Sequence, residues 1–172
     1  MRIAKLMLCL AILCPALMNA QNLNAEEKAV MKVIKEETRA NFERDKETWE
    51  NSFVQTDYYR EHTYWEGWKK NPVRTTQGWK VKYETNKGKF EKGKPKTAWN
   101  EAKYVRSNIN IRISSAKDMA WVTYDQKAVN PETKEVLGRS HETRILEKHD
   151  GQWKIAYLGY HYLPKETETT MK

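Results

Sequence analysis

Between Val105 and Tyr162 the chain alternates apolar and polar residues in four successive stretches, a pattern that suits strands with one buried face. Val105 to Ser114 places Ile109, Ile111 and Ile113 on one side and Asn110 and Arg112 on the other. Met119 to Val129, His141 to Lys148 and Trp153 to Tyr162 continue the pattern. Ser115 to Asp118, Asn130 to Lys134 and Asp150-Gly151 are the turns between them. Connections this short make neighbouring strands antiparallel, and the unpaired apolar face must then be covered by something else. The cover lies upstream. Ala25 to about Arg44 is rich in Glu, Lys, Ala and Met, with Ala29, Val30, Val33, Ile34, Thr38 and Phe42 near helical spacing. Asp45 is placed to cap a second helix, Lys46 to about Val54, whose Trp49 and Phe53 share a face. Helices followed by hairpins predict an α+β domain with a mostly antiparallel sheet.

The middle of the chain is less regular. Tyr58 to Trp65 is aromatic and β-branched enough for a strand, and Gly67 to Thr76 reads as a loop around Asn71-Pro72. In Gly78 to Thr85 the residues Trp79, Val81 and Tyr83 alternate like a strand, yet Trp79 and Tyr83 are also one helical turn apart. Asn86 to Lys96, with Gly88, Gly93, Pro95 and a run of lysines, is expected to be an exposed loop.

The first twenty residues have the form of a secretory signal: a basic start at Arg2 and Lys5, an apolar run from Leu6 to Leu17, and Ala20 at the cleavage point. The run is too short to cross a bilayer core, so the expectation is export to a secreted or periplasmic location without stable membrane insertion. The chain then divides into a signal peptide (1–20), one domain (21–163) and a polar tail (164–172). Both cysteines, Cys9 and Cys14, fall in the removed segment, which excludes disulfides, thiolate metal sites and cysteine nucleophiles from the remainder. Without Arg2 and Lys5 the net charge drops from +8 to +6, too dispersed to specify a partner. The core must draw on seven Trp and nine Tyr as well as the aliphatic residues.

The long first helix, the Asp45-led second helix, the strand after Asp57, Gly78-Trp79 and the block from Glu142 to Ile155 together resemble the nuclear transport factor 2-like superfamily, in its SnoaL-like branch. The resemblance spans roughly Ala25 to Tyr162. It implies a cone: a curved, mostly antiparallel sheet wrapped around about three helices, with a pocket between them and a homodimer through the outer sheet face. It also implies a helix at Gly78 to Thr85. Enzymes of the superfamily, among them ketosteroid isomerase and scytalone dehydratase, use a pocket carboxylate or histidine as base with Tyr or Asp donors. This chain departs from the branch after Trp153-Lys154-Ile155, where histidines often follow. Here the stretch is Tyr157-Leu158-Gly159-Tyr160-His161.

Candidate site residues follow from residue type and parity. His62 and Tyr64 share one face of their strand, with Glu61 on the other, and are the candidate base and donor for a cofactor-free isomerase, dehydratase or cyclase. The plainer role for such a histidine is a structural hydrogen bond. Tyr58, Trp79, Tyr83, Tyr124, Arg144 and His161 are candidate ligand contacts. Arg144 suits a ligand carboxylate through its planar fork, or an outward pairing with a neighbouring carboxylate. His141 lies on the opposite face from Arg144, His149 precedes a turn, and the facing of His161 stays open. If Val122 and Tyr124 face the helices, Trp121 lies outside, where a dimer would cover it. The histidine spacing gives no metal site, and no glycine-rich phosphate cradle or Gly-x-Ser-x-Gly elbow occurs, so no cofactor is expected. Lysines near Phe90 and Trp99 suit phosphates and bases, but export argues against a nucleic-acid partner. The reading is an exported domain that binds a small, partly apolar molecule, with an enzyme or a purely structural dimerisation module as alternatives.

Overall fold

Residues 23–67, 69–70 and 72–164 are described by a computed structural model. The segment read as a signal peptide, both cysteines, Trp68, Asn71 and the tail beyond Pro164 lie outside the described residues. Helix α1 (Ala25–Glu43) starts at a capping box: Glu27 N–H donates to the Asn24 side chain at 3.0 Å, and Asn24 N–H to the Glu27 carboxylate at 2.8 Å. Its buried stripe is Val30, Met31, Ile34, Glu37, Thr38 and Ala40. Helix α2 (Lys46–Asn51) is capped by Asp45, as expected, but stops short of Val54. The reason is tertiary: Val54 N–H donates to Ile155 O at 3.0 Å, and Ile155 N–H to Ser52 O at 2.8 Å. That pairing pulls the chain out of the helix and into the sheet.

Six strands follow: β1 (Arg60–Trp65), β2 (Val73–Gln77), β3 (Lys103–Ile113), β4 (Met119–Val129), β5 (Val136–His149) and β6 (Gln152–Leu163), in the order β2-β1-β6-β5-β4-β3. All neighbours are antiparallel except β1 and β6. The sheet is curved, does not close into a barrel, and wraps around the helices as the resemblance implied.

Two middle segments differ from expectation. Gly67 to Thr76, read as a loop, contains most of β2, an edge strand with only Thr76 buried and hence no apolar alternation to betray it. Helix α3 (Trp79–Glu91) runs six residues into the stretch read as an exposed lysine loop, because Lys89 and Phe90 cover the Trp49 ring, at 5.0 and 4.8 Å.

Bulges decide which way the strands face. Between Ser107 and Asn110 the β3 register shifts, with Asn108 at φ 52°, so Tyr104 and Arg106 turn inward on even numbers and Ile109, Ile111 and Ile113 on odd ones. A second shift leaves Ala156 extra in β6. Trp153 and Ile155 therefore face inward before it, and Leu158 and Tyr160 after it. A third, near Ala128 and Val129, accommodates Leu137 at the start of β5.

Candidate functional site

The helices and the inner sheet face enclose two buried ionic clusters. The first is closed. Glu61, inward on β1, receives Lys82 of α3, Tyr59 Oη at 3.2 Å and Arg74 at 3.1 Å, with Trp49 and Phe53 packed around the Lys82 ammonium. Burial pushes the Glu61 carboxyl up, but the Lys82 charge and hydrogen bond outweigh it and hold it below the usual range.

The second cluster borders a cavity of about 540 Å³, within the range of small-molecule sites. Glu37 and Asn41 of α1, Gln126 of β4, Ser140 and Arg144 of β5, and Tyr160 of β6 line its depths. Phe42, Trp65, Trp99, Tyr104 and Tyr162 add an aromatic surround. Glu142 stands behind Arg144 and accepts from Arg144 Nη2 at 2.6 Å, Tyr124 Oη at 2.9 Å, Gln126 Nε2 at 2.8 Å and Ser140 Oγ at 2.7 Å. A carboxylate so fully engaged is an anchor, not a base. Its charge neutralises Arg144, which is 1% exposed and lies under the Tyr160 ring at 4.5 Å. Burial works against the guanidinium charge, yet Tyr124, Tyr160 and Glu142 hold it firmly protonated.

Two polar atoms of this cluster are left over. Among the described residues seven buried side-chain atoms lack a hydrogen-bond partner, and Arg144 Nε and Gln126 Oε1 are the two whose residues line this cavity. Such orphans are uncommon and call for an explanation. Glu37 is 3% exposed and has only a long contact, 3.5 Å, from the Thr38 hydroxyl. Burial raises its carboxyl above the usual range, with the Arg144 charge opposing. The cavity lining thus includes a guanidinium at Arg144, an amide at Gln126 and a titratable group at Glu37.

Among the expected ligand contacts, Arg144 lines this cavity and Tyr124 buttresses it through Glu142; the others lie elsewhere. Trp79 packs in the core, 5.4 Å from Trp49, and Tyr83 accepts from Lys46 at 3.0 Å. Tyr58 is an exposed residue donating to Glu147 at 2.7 Å. The Ala156 bulge sends His161 to the outer face, where it meets Glu66 at 3.0 Å. His62 and Tyr64 share a face as parity requires, but it is the outer one, because Glu61 and Thr63 take the buried positions. Together with His141, paired to Asp125, they border a shallow outer groove of about 530 Å³. Arg144 proves to be both inward and paired, so the two alternatives weighed for it are combined. Val122 and Tyr124 face the helices, and Trp121 on the outer side is 59% exposed.

Residue type and parity missed Glu37, although it lies three residues beyond Ile34, within the apolar stripe of the first helix. A carboxylate on that stripe was the available signal. Tyr160 and Tyr162 were hidden by the bulge. Among the described residues no group of three or more His, Cys, Asp or Glu side chains could hold a metal ion, and no helix is long and apolar enough to cross a membrane.

Residues 51–161 match the profile of the SnoaL-like domain family. The chain belongs to that family. This places it in the nuclear transport factor 2-like superfamily, and solved structures agree on the fold. A cystatin-like-fold protein of unknown function from Nostoc punctiforme superposes with TM-score 0.59 at 14% identity, covering 83% of this chain and 96% of that one. A scytalone dehydratase candidate from Novosphingobium aromaticivorans gives 0.58 at 19% identity, covering 81% and 85%. The association domain of C. elegans CaMKII gives 0.56 at 18% identity, covering 79% and 95%. At these identities the likeness is one of fold. No curated protein matches the sequence.

Proposed function

We propose that this SnoaL-like domain binds a small, partly apolar, uncharged molecule in the cone, its polar end against Glu37, Arg144 and Gln126 and its apolar body among the rings of Tyr104, Tyr160 and Tyr162. The observation that carries the reading is a cavity of about 540 Å³ lined by Arg144 and Gln126, two residues that each keep a buried polar atom, Nε and Oε1, without a partner. An uncharged ligand is favoured because Glu142 already neutralises Arg144 and burial favours the neutral form of Glu37. The test is titration with 2-acetylnaphthalene, a neutral aromatic ketone. Saturable binding weakened about tenfold by Arg144→Met supports the reading. Binding that ignores this substitution, or tighter binding of 2-naphthoate than of the ketone, sinks it.

The isolated carboxyl of Glu37 favours a second reading, a cofactor-free isomerase or dehydratase in which Glu37, not the outward His62 and Tyr64, moves the proton. Glu37-dependent deuterium uptake into the methyl group of bound 2-acetylnaphthalene would support it, and uptake unchanged in Glu37→Gln would refute it. The proposal extends to export, with a mature amino terminus near Gln21, and to a homodimer that covers Trp121. Amino-terminal sequencing of the exported protein and sedimentation of Trp121→Glu are the respective checks.

A further inference from the structure

One end of the cavity is closed by an unusual contact. Trp99, on the segment between α3 and β3, lays its ring against the backbone of Gly138 in β5. A Cβ built on Gly138 collides with Cη2 of that ring and lies 3.2 Å from Cζ2 and 3.4 Å from Cζ3. Gly138 is not among the residues with positive φ, so space, and not backbone freedom, is what its bare backbone provides. The bulge that accommodates Leu137 lies immediately beside it and shapes the strand into a seat. Trp99 is nevertheless 42% exposed, so much of the residue is not locked into the core.

Its tethers are few and local. Tyr104 Oη donates to Trp99 O at 2.9 Å, and Tyr104 is itself stacked on Phe42 at 4.6 Å. The turn before it is held by Asn100 N–H to Thr97 O at 3.0 Å and by Asn100 Nδ2 to Pro95 O at 2.6 Å. The remaining loop residues, Lys92 to Lys96, are exposed. Trp99, Leu137, Gly138 and Pro164 line the cavity on this side, while Glu37 and Arg144 line its depths.

We infer that Trp99, seated on the bare backbone of Gly138, is the specificity-determining end wall of the cavity and sets the length of the molecule it admits. The inference rests on the ligand reading above for its second half only. With the ring seated, the apolar body of a ligand anchored at Arg144 ends against the indole. With the ring displaced, the cavity opens toward solvent and a longer ring system fits.

Two measurements test it. Trypsin cleaves after Lys92 and Lys96, the bond after Lys94 being protected by Pro95, so the rate at those two sites reports the seat without any ligand. Gly138→Val should raise it about fivefold, and Trp99→Ala should raise it similarly. In the double variant the two effects should not add, because each removes the same contact. Unchanged rates, or additive effects, overturn the seat. The second measurement compares 2-acetylnaphthalene with the four-ring 1-acetylpyrene. Trp99→Ala and Gly138→Val should each shift the affinity ratio toward 1-acetylpyrene by about tenfold, a change in preference that general loosening would not produce. A ratio within twofold of the parent protein overturns the role in specificity. If the seat behaves as described and neither ketone binds the parent protein, the ligand reading and the specificity role fall together and the seat stands.

Discussion

The two buried ionic clusters use the same residue types and reach opposite ends. Around Glu61 the carboxylate oxygens are taken by Lys82, Tyr59 and Arg74, and rings pack against the ammonium. Around Arg144 the same kind of pairing, with Glu142, stops short: Nε and the Gln126 carbonyl have no partner, and both residues line a cavity. A buried ion pair is weak evidence of function, since packing and pairing suffice to explain it. Trp49 Nε1, beside the Glu61 cluster, is also without a partner, so what marks a binding site is a leftover polar atom on a residue that lines a cavity.

The contrast is sharpest in stability. Lys82→Met leaves the Glu61 carboxylate buried with only Arg74 as charged partner and should cost about 3–5 kcal/mol. Arg144→Met should cost less, about 2 kcal/mol, because Tyr124, Gln126 and Ser140 still donate to Glu142 and the cavity admits water. Chemical denaturation of both variants decides it, and equal losses would erase the distinction between closed and open clusters.

Glu37 should behave as a residue kept for something other than stability. Its folded carboxyl is raised above the ordinary value of 4.5, so it stabilises the fold relative to the unfolded chain below that pH. That contribution is lost as pH rises toward the folded value. Glu37→Gln should therefore raise stability at pH 7 by about 1 kcal/mol and flatten the decline above pH 4.5. A destabilised variant would show the carboxylate to be structural.

Lys89 gives a pH slope of opposite sign. Burial, with the Lys82 charge adding, lowers its ammonium to about 7 from an ordinary 10.5. Below that value the folded state must carry the charge, so this contribution to stability is greatest above pH 10.5 and falls away toward pH 7. Lys89→Met should remove the slope across that window, and stabilise by about 1 kcal/mol at pH 6 after allowance for solvent screening. Smallest of all is His62→Gln on the outer face, expected within 0.5 kcal/mol and without effect on 2-acetylnaphthalene affinity. A weakened affinity would move the site to the outer groove.

How much of this could be read in advance follows from the range of the forces involved. The Asp45 cap, the apolar stripe of α1 and the four alternating strands are local patterns and stand where they were expected. The edge strand β2 has no alternation because one of its sides meets solvent and the other carries little burial. The carboxy-terminal half of α3 is helical because Trp49, some forty residues away, offers Lys89 and Phe90 a surface. One extra residue, Ala156, settled the facing of Tyr160 and His161 that the sequence left open, since each residue inserted into a strand inverts every facing after it.

The amino-acid order by itself determined α1, the start of α2, the hairpins and their order, because capping, turn chemistry and hydrophobic period act over a few residues. Which polar groups were left unpartnered, and beside which cavity, was decided only when α1 was laid against the curved sheet. A hydrogen bond unmade is a property of two surfaces brought together, and neither surface contains it alone.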